Sequence, residues 1–393
     1  MEPIHQHVPL LFTYEVHFTT GLFEPSHPLL ARIVQADAQG KPKKLLFAVD
    51  SGVLTHHPDL LDRIRAYADA HADVVELAGE PLVMPGGESS KNDPRLIERI
   101  HRAVNDERID RHSYVVAVGG GAVLDAVGYA AATAHRGIRL IRVPTTVLSQ
   151  NDSAVGVKNS VNAFGKKNFL GTFAPPFAVL NDFSFLTTLD DRDWRSGISE
   201  AVKVALIKDA SFFSDLERDA AALVQRDMEA MQRLIYRCAE LHLQHIATSG
   251  DPFELGSSRP LDFGHWSAHR LEQLTGYELR HGEAVATGIA LDTAYSYLQG
   301  RLSDTEMERV LSVLEGVGFR LFVPEMLEHL GEPDHPRSLF RGLQEFREHL
   351  GGELTVMLLD GIGKGVEVND VDLGRYTEAI MFLRDRSEVC AEV

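Results

Sequence analysis

Residues 114–134 read "YVVAVGGGAVLDAVGYAAATA", a stretch almost free of charge and long enough to span a bilayer. Two features turn it away from a membrane. Three consecutive glycines interrupt it, and Asp125 would carry a charge into the apolar interior. A β-branched run, then glycine, then an alanine-rich segment reads instead as a buried strand, a tight turn and a helix. That unit sets the pattern for the first half of the chain. "KLLFAVD" (44–50), "DVVELAG" (73–79), "SYVVAVGGG" (113–121) and "IRLIRVPTT" (138–146) read as strands. "DLLDRIRAYADA" (59–70) has helical spacing, and "DPRLIERIHRAVND" (93–106) opens on an Asp cap with Pro at the first turn. Alternation of this kind predicts a parallel sheet with helices on both faces.

In such sheets ligands bind at the carboxyl ends of the strands. Asp50, Gly119 to Gly121, Thr145 and Thr146 fall there. From about residue 190 the period becomes helical and strand-like runs are rare. A chain of 393 residues exceeds one ordinary core, so two domains are expected, 1–190 and 191–393. The net charge of −18 argues against nucleic acid and anionic membranes as partners, while leaving room for a small anion held by local Lys and Arg. Two cysteines far apart, Cys238 and Cys390, give no disulfide framework. The first residues show no secretory signal, so a cytoplasmic protein is expected.

Four stretches carry chemistry. Gly119 and Gly121 fit the first two positions of a dinucleotide fingerprint, but Leu124 occupies the third. Backbone N–H groups at Gly120 and Gly121 can still approach a phosphate at the helix start; a tight turn without ligand gives the same signature. "GGESSK" (86–91) is a second polar loop. Residues 144–176 are long, polar and rich in glycine, with Asp152, Lys158, Lys166, Lys167 and Asn168 among them; the lysines and the asparagine amide can hold a phosphate and sugar hydroxyls. "SGISEAVKVALIKD" places Glu200 and Lys203 on one helix face, which is also how a plain ion pair looks. Finally, "LDFGHWSAHRLE" (261–272) sets His265 and His269 one turn apart, and "RHGEAVATG" (280–288) adds His281. Both histidines of the first pair could bind one metal, and two His with a carboxylate such as Glu200 would leave an open position, as catalytic zinc requires.

Taken in order, "GGGAVLD", "RGIRLIRVPTTVLSQNDSAVGVK", "GKKN", "EAVK", "DFGHWSAH" and "HGEAVATG" resemble the sugar phosphate cyclase superfamily, whose best-known member is 3-dehydroquinate synthase. The match runs from about residue 44 to about residue 360. The resemblance implies an α/β fold: a Rossmann-like parallel-sheet NAD domain, then a mostly α-helical domain that binds metal and substrate. It implies NAD and Zn²⁺ (or Co²⁺) as cofactors, with Glu200, His265 and His281 on the metal and His269 beside the substrate's phosphate. Asp50, Glu88, Lys91, Asp125, Thr145, Thr146, Asp152, Lys167, Thr188 and Leu189 become NAD contacts, with Gly120 and Gly121 in the glycine loop. Lys158, Asn168 and Lys203 become substrate contacts, and Arg136 resembles an arginine that family members insert into the neighbouring subunit, implying a homodimer. The implied reaction is a cycle of oxidation, phosphate elimination, reduction and aldol closure of a heptulose 7-phosphate, a lyase reaction in which NAD is regenerated.

The departures bear on the substrate. Dehydroquinate synthases have Asn where this chain has Asp262, a lysine on the preceding helix where this chain reads "LHLQHIATSGD", and an arginine at the place of Ser258, with Arg259 displaced by one. Toward the C-terminus their Asp-Lys-Lys is replaced by "FREHLGG", with His349 nearby. Losing cations and gaining an anion disfavours a substrate carboxylate. These features are similar to the 2-epi-5-epi-valiolone synthase branch, which cyclises the neutral sugar sedoheptulose 7-phosphate. A 3-dehydroquinate synthase and a metal-dependent polyol dehydrogenase are the competing expectations.

Overall fold

The computed structural model describes residues 3–8, 10–36, 40–249, 251–253, 260–349 and 353–391. Ser258 and Arg259 lie outside the described residues. The chain divides into two compact units, one from residues 1–145 and 156–185, the other from residues 146–155 and 186–393. No helix among the described residues is long and apolar enough to cross a membrane.

The first unit is built on a parallel sheet. Its strands are β1 (Glu15–Thr19), β2 (Lys43–Asp50), β3 (Val75–Leu77), β4 (Leu82–Met84), β5 (Tyr114–Gly119), β6 (Arg139–Pro144) and, after a hairpin of β7 (Lys158–Ala163) and β8 (Lys166–Phe173), β9 (Ala178–Asp182). The order is β1-β9-β6-β5-β2-β3, with β4 also paired to β2, and these pairings are parallel. Helices α1 (Leu29–Gln35), α2 (Ser51–His56), α3 (Leu60–Ala70), α4 (Ser89–Asn92), α5 (Pro94–Asp106) and α6 (Gly121–Thr133) connect the strands. Alternate residues Leu45, Phe47, Val49, Tyr114, Val116, Val118, Ile141 and Val143 form one buried cluster, as the two-residue period of a strand dictates. The intervening Leu46, Ala48, Val115 and Ala117 are buried too, so the central strands are covered on both faces.

The expected α/β architecture is therefore present, with local differences. The strand expected at 73–79 shrinks to β3, and β1, β4 and β9 are added. Residues 144–176, read from sequence as a long loop, hold a π-helical turn at Ser149–Ser153 and the β7–β8 hairpin. Phe164 and Gly165 turn that hairpin with positive φ of 54° and 72°, the backbone of a tight two-residue hairpin loop. Polar composition hid the hairpin, because much of β8 is exposed and carries no apolar alternation.

The second unit is helical, with a single antiparallel hairpin of β10 (Val356–Leu359) and β11 (Gly365–Val368) among its described residues. Its helices are α7 (Asp191–Lys208), α8 (Ala210–Val224), α9 (Met228–Thr248), α10 (His265–Leu274), α11 (His281–Leu298), α12 (Asp304–Gly316), α13 (Arg341–His349) and α14 (Leu373–Ala391). Asp190, Asp209, Asp227 and Ser303 accept backbone N–H bonds at the starts of α7, α8, α9 and α12. The helices α7 and α11 are buried nearly all round, which marks central helices. Their approach depends on Gly282, where a Cβ would lie 2.1 Å from the Ser196 carbonyl oxygen. That closeness brings the first residue of α11, His281, against Glu200 of α7.

Candidate active site

In the helical unit three elements converge on Glu200, which is fully buried in the middle of α7. His265 is the first residue of α10 and His281 the first of α11. Their Nε2 atoms stand 3.6 Å and 3.5 Å from Glu200 Oε1. Each ring is oriented from behind. His265 Nδ1 donates to the Phe263 carbonyl at 3.1 Å, and His281 Nδ1 lies 3.4 Å from Glu272 Oε2. With Nδ1 carrying the proton, the Nε2 lone pair of His265 faces the carboxylate; Nε2 of His281 faces it as well and would offer its lone pair to a cation on losing its proton. This is the outer arrangement that metal-ligating histidines use.

The three side chains fit a metal ion. Their ligating atoms all lie within 4.8 Å of one another. Metal–ligand distances near ~2.1 Å in a tetrahedron separate ligands by roughly 3.4 Å, close to the carboxylate–imidazole spacings here. Both Glu200 oxygens are buried without a hydrogen bond of good geometry, although Lys203 and the two histidines stand in ion-pair contact. A buried carboxylate held among three nitrogen groups in this way stays ionised and can serve a cation as ligand. Burial, followed by the Lys203 charge, pushes His265 down to about 4, so at neutral pH it is the neutral imidazole a metal needs. His281 goes the other way: burial opposes its charge, but Glu200 and Glu272 push it up to about 9.

The neighbours of this cluster are charged. Lys203, one turn along α7, is 3 % exposed and pairs with Glu200. Burial works against its charge, yet Glu200, Asp152 and, more weakly, Asp262 hold its pKa above the usual lysine value. Asp152, at the π-helical turn, has its carboxyl held below the usual range: burial and Glu200 oppose ionisation, and Lys203 and His242 overcome them. His269 is exposed, its ring 5.5 Å from that of His265 and 5.9 Å from that of His281. His269, Glu272 and His281 form a second group with ligating atoms close enough for an ion.

Two residues of this region were not singled out from sequence. His242 of α9 places Nδ1 2.9 Å from Asp152 Oδ1. It lies within "LHLQHIATSGD", a stretch whose sequence signal is the lack of a lysine. Glu272 stands three residues beyond His269 on α10, and that spacing was the available signal.

In the α/β unit the expected residues gather at strand ends. Asp50 ends β2, is buried, and accepts from Gly52 N at 2.7 Å as the cap of α2. Burial raises its carboxyl pKa, and the backbone donors of Gly52, Gly120 and Val53 oppose the rise. Gly120 and Gly121 form the start of α6 immediately after β5. The buried Lys91 ammonium donates to Asp125 Oδ2 at 2.7 Å, to Ser160 Oγ at 3.1 Å and to Asn168 Oδ1. Asn162 extends the network, donating to Glu88 Oε1 at 2.6 Å and accepting from Asn168 N at 2.8 Å. Lys91, Asp125, Glu88 and Asn168 are thereby brought together, through Ser160 and Asn162, which sequence reasoning passed over. Thr145 is buried behind β6. Thr146 belongs to the helical unit, bonded through its hydroxyl to Ser149. Lys158 is exposed on β7 and Lys167 half-buried on β8. Thr188 and Leu189, half-buried after β9, also belong to the helical unit. Arg136 is exposed, in left-handed backbone at φ 64°. His349 is the last residue of α13.

A parallel α/β sheet with a glycine turn, together with a helical unit carrying a largely buried Glu/His/His cluster that could hold a metal ion, defines the class of protein. Comparison with known proteins narrows the class. The 3-dehydroquinate synthase N-terminal profile matches residues 81–196 and the C-terminal profile residues 197–332. A curated 3-dehydroquinate synthase of Jannaschia sp. (strain CCS1) is 33% identical over 360 residues, 91% of this chain and 92% of that protein. Among solved structures, ValA, a 2-epi-5-epi-valiolone synthase from Streptomyces hygroscopicus subsp. jinggangensis 5008 with NAD⁺ and Zn²⁺ bound, is 30% identical. It superposes with a TM-score of 0.84 over 98% of this chain and 100% of its own. A 2-deoxy-scyllo-inosose synthase complexed with carbaglucose-6-phosphate, NAD⁺ and Co²⁺ shares the fold at 24% identity, with a TM-score of 0.74 over 93% of this chain and 95% of its own. The chain belongs to the 3-dehydroquinate synthase family, within the sugar phosphate cyclase superfamily.

Proposed function

We propose that this protein is an NAD- and metal-dependent cyclase of a neutral heptulose 7-phosphate, of the sedoheptulose 7-phosphate kind. The observation that carries the substrate choice is the charge balance around Lys203. One lysine is shared by Glu200, Asp152 and Asp262, and the neighbouring α9 position offers His242, already paired to Asp152. Little positive charge is left for a substrate carboxylate. Two like charges about 4 Å apart cost roughly 4 kcal/mol at an effective dielectric near 20, on the order of a thousandfold in affinity. Asp262 instead accepts hydrogen bonds from sugar hydroxyls. The 30% identity and TM-score of 0.84 to a 2-epi-5-epi-valiolone synthase support the same choice.

On this reading Glu200, His265 and His281 hold the metal, and the glycine loop at Gly120 and Gly121 with Asp50, Glu88, Lys91, Asp125, Thr145, Thr146, Asp152, Lys167, Thr188 and Leu189 holds the dinucleotide. A divalent ion supplies Lewis acidity toward a ring hydroxyl, and nicotinamide supplies reversible hydride transfer. Lys203 holds Glu200 and Asp152 ionised and orients a substrate hydroxyl. Lys158, Asn168 and the exposed imidazole of His269 bind the phosphate and the sugar. The carboxylate ligand Glu200, with these phosphate-handling residues, favours the cyclase over a net polyol dehydrogenase.

The test is phosphate release with NAD and Zn²⁺ or Co²⁺ from two substrates side by side. Sedoheptulose 7-phosphate is expected to react at least ~100-fold more efficiently than 3-deoxy-D-arabino-heptulosonate 7-phosphate, allowing for screening of the thousandfold repulsion. No NADH should accumulate. Efficient conversion of the acid alone would favour the second reading, which the 33% identity to a curated 3-dehydroquinate synthase supports. NADH formed in step with product would remove both.

The family resemblance also supports a homodimer in which Arg136 serves the partner's site. An Arg136→Ala protein mixed with a Lys203→Ala protein should then recover up to about a quarter of wild-type activity, the statistical share of intact sites after random subunit exchange. Demonstrated exchange without recovery would count against it.

A further inference from the structure

We propose that Asp292 is a positioning residue of the metal centre, acting on His265 through the Phe263–Gly264 peptide group. This rests on the reading of Glu200, His265 and His281 as the metal ligands. Asp292 is fully buried on α11, the helix that begins with His281. Its carboxylate accepts three hydrogen bonds: Gly264 N–H to Oδ2 at 3.0 Å, Trp266 Nε1–H to Oδ1 at 3.0 Å and the Tyr376 hydroxyl to Oδ1 at 2.9 Å. Burial pushes the carboxyl up to about 7, and the three donors oppose that rise.

The geometry gives these bonds a direction. Gly264 N–H and the Phe263 carbonyl are two ends of one peptide plane. Asp292 holds the N–H end. The carbonyl end accepts from His265 Nδ1 at 3.1 Å, the bond that leaves Nε2 free to face Glu200. A carboxylate therefore fixes a peptide, and the peptide fixes the imidazole's tautomer and angle. Hydrogen bonds in such a chain also polarise one another. The backbone leaves few other settings. Gly264 has φ +77°, and a Cβ there would lie 2.6 Å from Ile289 N. A Cβ on Gly288 would lie 2.0 Å from the Gly264 carbonyl oxygen. The start of α10 thus rests directly on α11, one turn before Asp292. Trp266, the residue after His265, is held by the same carboxylate, and Tyr376 brings α14 to it. The hydrogen bonds of the carboxylate go to Gly264, Trp266 and Tyr376 rather than to Glu200, His265 or His281, so the residue acts on the centre at one remove.

The test reads metal affinity apart from turnover. Co²⁺ is titrated into the metal-free full chain, following its d–d absorption. Asp292→Asn keeps the shape but turns one acceptor into a donor facing Gly264 N–H or the Oδ1 donors. It is expected to bind Co²⁺ about 10–100-fold more weakly, with a changed d–d spectrum, as loss of an outer-shell partner does. Tyr376→Phe leaves the Gly264 bond in place and should stay within about threefold of wild type, although it removes a buried hydrogen bond. Glu200→Ala serves as the ligand control. Wild-type Co²⁺ affinity and spectrum in a folded Asp292→Asn protein, with binding lost in Glu200→Ala, would overturn the role of Asp292 alone. Unchanged binding in Glu200→Ala would overturn the ligand assignment itself. If Asp292→Asn does not fold, ¹⁵N-histidine spectra of the metal-free wild type, assigned against His265→Gln, decide the matter. The Nδ1–H tautomer of His265 is expected, and the Nε2–H tautomer would overturn the proposal, as would loss of Co²⁺ binding in Tyr376→Phe equal to that in Glu200→Ala.

Discussion

A His265→Ala protein is expected to lose metal binding and turnover together, by well over the roughly 10–100-fold that an outer-shell substitution costs. His265 supplies one of two imidazole nitrogens that face Glu200, and its pKa, pushed down to about 4, keeps it in the ligating form. His269 provides the contrast. It shares a helix face with His265 but is exposed, and it belongs to the second possible cluster, with Glu272 and His281. A His269→Ala protein should keep its Zn²⁺ or Co²⁺ and lose turnover. Metal content by elemental analysis after dialysis separates the two clusters. Full metal in His265→Ala and none in His269→Ala would move the ion to the second.

Lys203→Met carries the next largest expectation. Lys203 is the buried cation between Glu200 and Asp152. Removing one partner of a buried ion pair leaves an uncompensated charge and costs about 3–5 kcal/mol. The metal-free protein should therefore unfold at clearly lower urea concentration. Saturating Zn²⁺ should recover part of the deficit, because the ion takes over the neutralisation of Glu200 and binds only the folded chain. The double change Glu200→Gln with Lys203→Met should cost less than the sum of the single changes. Equal urea midpoints for wild type and Lys203→Met without metal would show that the pair is not the electrostatic centre of this cluster.

Much of the first unit was legible because its signals are local. A β-branched run buried on both faces, a glycine turn and an alanine-rich helix fix β5 and α6 within a window of about 20 residues. The hairpin of β7 and β8 was not legible, since its pairing and exposed polar faces leave no periodicity to read. The metal-type cluster was half legible. Spacing placed His265 and His269 on one face of α10, and that rule cannot tell a ring turned toward a buried carboxylate from one turned toward solvent. Spacing offers no separation of the two; the resemblance to family motifs implies one, with His265 on the metal and His269 beside the phosphate. His242 was invisible for a different reason: its meaning lies in Asp152, some 90 positions earlier in the chain.

The sequence by itself determined the element types, the polar strand ends of the α/β sheet, and the residue types able to hold an ion and a phosphate. These follow from short-range periodicity, turn chemistry and motif order. Only the tertiary structure decided which of those residues meet. Gly282 lets α11 approach α7, so His281 reaches Glu200. Gly264 and Gly288 let α10 rest on α11, so one carboxylate, Asp292, can hold the peptide that aims His265. Each of these contacts joins residues far apart in the chain. They depend on helix-to-helix distances set by close packing, a quantity that no local pattern of residues encodes.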